Sequence, residues 1–127
     1  MSPAAAYRQT GIASRSLEND PHQMIAQLLA GLLERIRLAH TLALRGERAR
    51  KGDAIRAASA IVDALRLALD PGSGGAIAER LDALYEYVGL RLVEVNAGDD
   101  AALLDECEGL IRSIADAWAG IGRGAGA

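Results

Sequence analysis

Two histidines, one cysteine and one glycine-rich stretch could carry chemistry by residue type, yet their spacing does not suit it. His22 stands in what reads as the first turn of a helix, and His40 lies among charged residues. Neither has a glutamate or a second histidine at a metal-ligand spacing. The Glu-x-x-His pattern of di-iron bundles is missing as well, so no metal and no cofactor is expected. Cys107 falls on an apolar helical stripe, where a thiol is buried and inert. A lone cysteine cannot form an internal disulfide and fits a reducing compartment. Gly72-Ser73-Gly74-Gly75 precedes a helix, as phosphate-cradling loops do, but no Lys-Ser/Thr follows it and no strand comes before it. The run Arg45, Glu47, Arg48, Arg50, Lys51 reads as a solvated helix start. An enzyme would need titratable groups converging on inward faces, and the inward positions here are aliphatic. The chain is read as non-catalytic.

The elements that would position such residues follow from composition and period. The chain has 127 residues, enough for one domain; it is 50% hydrophobic but only 3% aromatic, with no Phe. A core of Leu, Ile, Val and Ala suits closely packed helices better than a β-sandwich. The formal charge of −3 and a pI near 5.3 argue against a nucleic-acid partner, which needs a basic face. No apolar run approaches the roughly 18 residues that span a bilayer, and the N-terminus lacks the pattern of a secretory signal. A soluble, cytoplasmic protein without membrane insertion is expected.

Residues 1–19 read as a mobile polar arm or short capping helix in which Tyr7, Ile12 and Leu17 are the large apolar groups. Asp20-Pro21-His22-Gln23 then carries the marks of a helix start: a cap, a proline suited to the first turn, and a capping-box glutamine. A first helix is predicted to about Leu44 with a break near Gly46, and a second from about Glu47 to Leu69 on the stripe Ile55, Ala58, Val62, Leu65, Leu69. Pro71 and the glycines after it end that helix. The third, from about Gly75 to Asn96, is given the stripe Ile77, Leu81, Leu84, Val88, Leu92, Val95. Gly98 stops it, and Asp99 or Asp100 caps a fourth helix on Leu103, Cys107, Leu110, Ile114, Trp118 and Ile121. Residues 122–127 look too glycine-rich to stay helical. Short loops between helices of this length give an all-α, antiparallel four-helix bundle over residues 20–121.

The first helix carries more apolar surface than a bundle needs. Ile25, Leu29, Leu32 and Ile36 supply one stripe of ordinary width, while Met24 and Leu28, continued by Leu38 and Leu42, make a second row without an assigned home. The second helix has a seam of small residues, Ala54, Ala57, Ile61, Ala64 and Ala68, beside its core stripe. Together these outline a groove for an amphipathic partner segment. Ordinary burial, in a central helix or a homodimer, is the other use of such surface, and the chain's own arm is a third. Tyr85 and Tyr87 point to different sides of their helix, which leaves one for the core and the other for the surface.

Tyr7, Gln9 and Gly11 lie in the arm, followed by Pro21-His22-Gln23-x-Ile25, Gly46, Lys51-Gly52-Asp53-Ala54, Ile61-Val62 and Leu69-Asp70. The most specific stretch is Gly74-Gly75-x-Ile77-Ala78-x-x-Leu81-x-x-Leu84-Tyr85-x-Tyr87, with Arg91-Leu92-x-x-x-Asn96 after it. Glu108-Gly109-Leu110 and Ala117-Trp118 complete the series. In order and spacing it resembles the flagellar secretion chaperones of the FliS family over residues 7–121. The resemblance implies an antiparallel helical bundle that binds the disordered C-terminal segment of flagellin and prevents its premature polymerisation. It also implies delivery to the cytoplasmic domain of the flagellar type III export gate, with Tyr7 in the position tied to capping and docking. Leu90 departs from the family's usual arginine and adds apolar surface, for partner choice or self-association. The residues assigned to partner contact are therefore Tyr7, Ile12, Met24, Ile25, Leu28, Leu32, Ala57, Ile61, Ala64, Ala68, Tyr87 and Leu90.

Overall fold

Steps of three and four between apolar residues become helices in the computed structural model, which describes residues 21–98 and 100–125. They are α1 (Pro21–Leu44), α2 (Arg48–Ala68), α3 (Pro71–Ala97) and α4 (Ala101–Ala125). Each helix packs against the next, and α4 returns to α1, closing an antiparallel four-helix bundle around one aliphatic core. No helix among the described residues is long and apolar enough to cross a membrane.

The turns are set by local chemistry. Gly46 adopts φ 72°, a left-handed conformation, and ends α1. Its N–H donates to Ala43 O at 3.1 Å while the Glu47 N–H reaches back to Leu42 O at 3.0 Å, the paired bonds of a Schellman stop. Pro71 to Gly74 form one helical turn, and Gly75, at φ 56° and ψ −133°, kinks the chain into the main body of α3. A side chain at either φ would be strained. Asp100 caps α4, its Oδ1 accepting the Ala102 N–H at 3.1 Å. Helix α4 runs on to Ala125, so Gly122 and Gly124 do not end it near Ile121 as their backbone entropy suggested.

Ile25, Leu29, Leu32 and Ile36 of α1 and Ile55, Ala58, Val62, Leu65 and Leu69 of α2 all lie in the core, as their spacing predicts. Two stripes are shifted. On α3 the inward set is Ala78, Leu81, Tyr85, Val88, Leu92 and Val95; Tyr85 takes the place expected for Leu84, which is exposed. On α4 it is Leu104, Cys107, Ile111 and Trp118, while Leu103, Leu110 and Ile114 stay half-buried at the edge of the core. Cys107 is fully buried, and that burial pushes its thiol up to about 11.

Candidate partner-binding groove

The α1–α2 seam fixes the register of the predicted groove. A Cβ built on Gly31 would lie 3.6 Å from Ile61 Cδ1, so these two positions face each other. Because the helices run antiparallel, one turn along Arg35 lies across from Ala57 and Leu38 from Ala54; in the other direction Leu28 lies across from Ala64 and Met24 from Ala68. Large side chains on α1 thus oppose small ones on α2, and the outer side of the seam is a shallow trough. Met24, Leu28, Ala57, Ile61 and Ala64 are half-buried along it. Toward the C-terminal end of α1 the trough deepens into an open cavity of about 230 Å³ lined by Leu38, Leu42, Ala54 and Ala57 and rimmed by Arg35, Arg50 and Asp53.

Several predicted contact residues sit elsewhere. Ile25 (1% exposed) and Leu32 (0%) face inward with the core stripe, so they are structural and not groove residues. Their steps of three and four to Leu29 and Ile36 put them on the narrow face that all four helices share. Ala68 and Leu42 are likewise buried and form floor instead of surface. Tyr87 and Leu90 belong to α3, away from the α1–α2 seam. Leu90 is 54% exposed beside the exposed Val93. Tyr87 is half-buried against α4, its hydroxyl donating to Glu106 and the Arg91 guanidinium lying 4.9 Å from its ring centroid. The bond to Glu106 leads the effects that hold its phenol above the usual range. Tyr7 and Ile12 lie outside the described residues.

A second apolar recess was not foreseen. A slot of about 190 Å³ opens between α1, α3 and α4, walled by Ile25, Leu29, Leu81, Tyr85, Ile114 and Trp118. Beside it His22 and Trp118 form a clasp: the rings stack at 4.5 Å and 8°, and each side chain donates to the other's backbone carbonyl at 2.8 Å. The carbonyl acceptor requires the His22 proton on Nε2. Sequence offers no signal for this pairing, since the two residues are 96 positions apart.

The model of the family described as Flagellar protein FliS matches residues 3–125. The chain belongs to the FliS family. It is 40% identical over 115 residues to the flagellar secretion chaperone FliSB of Pseudomonas aeruginosa, covering 91% of each protein. The FliS chaperone of Salmonella typhimurium is 37% identical over 114 residues, 89% of this chain and 84% of that one. That of Bacillus subtilis is 28% identical over 116 residues, 91% and 83%.

One FliS-like motif now has a physical reading. Lys51 of Lys51-Gly52-Asp53 is no solvated helix start: it is 3% exposed, and its ammonium donates to Val95 O at 3.1 Å and Gly98 O at 2.7 Å. A cation on the last carbonyls of α3 complements that helix's dipole and ties the α3–α4 turn to the start of α2. The signal was available in sequence, because Lys51, Ile55, Ala58 and Val62 step by four, three and four.

Proposed function

We propose that the protein is a cytoplasmic flagellar export chaperone that binds the C-terminal segment of flagellin along the α1–α2 trough. In this reading the segment is disordered when free and becomes helical on the chaperone, which keeps flagellin from polymerising before export and presents it to the cytoplasmic domain of the export gate. Family membership supports the chaperone role. The observation that carries the site is the half-buried row of Met24, Leu28, Ile61, Ala57 and Ala64, in which Leu28 and Ile61 pack on the core and still keep part of their apolar surface uncovered.

The mechanism follows from the trough's composition. Alanines opposite leucines allow a third helix to approach closely, so its apolar face is buried over many small contacts instead of in one fixed pocket. Coupled folding of this kind buries on the order of 1,000–3,000 Å² and gives up several kcal/mol in ordering the segment. Many weak contacts also permit stepwise release.

Titration with a peptide of the flagellin C-terminal segment, followed by circular dichroism and light scattering, tests this. A one-to-one complex with added helix is expected. A tight homodimer indifferent to the peptide would assign the surplus apolar surface to self-association and overturn the proposal.

A further inference from the structure

Arg35 interrupts the apolar row of α1 that faces α2, midway between Gly31 and Leu38, on the rim of the 230 Å³ cavity. Its charged neighbours on that rim are already paired: Arg50 with Glu47 at 3.0 Å, and Asp53 with Arg56. Arg35 is exposed and has no acidic partner among the described residues. Counting Arg35, Arg50 and Arg56 against Glu47 and Asp53, this end of the trough is net positive, on a chain whose formal charge is −3. A guanidinium at the edge of an apolar floor is poorly placed to stay fully hydrated once a helix covers that floor, and it then needs an anion.

Taking the trough as the flagellin site, as proposed above, we infer that Arg35 selects and orients the bound segment by pairing with a carboxylate of its helix. The cavity beside it receives a leucine-sized side chain placed one turn from that carboxylate. The occupant so defined is an amphipathic helix with an Asp or Glu three or four residues from a large aliphatic residue, the spacing that puts both on one face. The planar fork of arginine favours two parallel bonds to the carboxylate, which fixes rotation and direction as well as adding attraction. A hydrophobic trough alone has no such means of choosing one orientation of a helix.

The test measures binding of the flagellin C-terminal peptide to Arg35→Glu, Arg35→Leu and Leu28→Asp at low and high salt. Arg35 is exposed and makes no hydrogen bond or ion pair among the described residues, so its variants are expected to fold as the parent does. Arg35→Glu is expected to weaken binding about tenfold at low salt and less at high salt. Replacing one carboxylate of the peptide by lysine should then restore binding to Arg35→Glu while weakening it to the parent protein. If Arg35→Leu binds as well as the parent, the guanidinium contributes only its stem and the inference fails. If Leu28→Asp loses binding while Arg35→Glu does not, the trough stands and the Arg35 pairing is overturned. If the parent protein does not bind the peptide, the functional reading itself falls.

Discussion

Along its α4 side, α1 is fastened by polar links: the His22–Trp118 clasp and the Arg37 guanidinium, which donates to Glu108 at 3.4 Å. Along its α2 side the same helix meets a line of alanines, with Gly31 against Ile61 and with Arg35, which has no acidic partner among the described residues. Directional bonds give the first seam one geometry. The second rests on non-directional contact between small side chains, which another helix can join without breaking a hydrogen bond. The polar residues thus distinguish the two seams, and in the proposed reading it is the α2 side that receives a partner helix.

That contrast predicts unequal costs. The largest belongs to the closed seam: Trp118→Ala removes a buried indole and one half of the clasp, and is expected to cost about 3–5 kcal/mol in urea unfolding followed by circular dichroism. A cost as small as that of a trough substitution would show that the clasp does not fasten α1. Lys51→Met is expected to cost about 1–3 kcal/mol, since it leaves the Val95 and Gly98 carbonyls short of a donor. Faster amide exchange around the α3–α4 turn would locate the loss.

Next comes a dependence on pH from Cys107. Its thiol titrates higher when folded than when unfolded, so the folded state retains a proton that the unfolded state loses. Stability from this group is complete below pH about 9 and declines as pH rises toward about 11, by up to about 2–3 kcal/mol. The difference in midpoint between the parent protein and Cys107→Ala should narrow across that range, and a constant difference would contradict the burial argument. The smallest effect is expected at Leu67, which is 86% exposed on α2: Leu67→Ser should change stability by no more than about 0.5 kcal/mol. A larger loss would mean that this outer face is covered.

Much of this arrangement was legible beforehand, and the failures have physical causes. The break at Gly46 followed from backbone freedom and the α2 stripe from its undisturbed period, whereas the turn expected from Pro71 to Gly75 is helical as far as a kink at Gly75. On α4, Leu103-Leu104 and Leu110-Ile111 offer two adjacent stripes of equal period, and only packing against the other helices selects Leu104 and Ile111. On α3, Leu84 and Tyr85 both fit steps of three and four from Leu81 to Val88, and the packing of the bundle turns Tyr85 inward. The trough was readable as an excess of apolar residues on α1. The burial of Ile25 and Leu32 was not, because they share the residue types of the outer row and differ from it only in angle around the helix.

The central claim is that binding surface and core are separate on α1, and Leu28→Asp and Ile61→Asp test it most directly. Affinity for the flagellin C-terminal peptide and the unfolding midpoint would be measured on the same samples. Both variants are expected to lose affinity by about a hundredfold, because a carboxylate would be desolvated beneath an apolar helix. They are also expected to keep their helical content and lose clearly less stability than Trp118→Ala. Unchanged affinity, or a fold that collapses in either variant, would place these residues in the core and contradict the account.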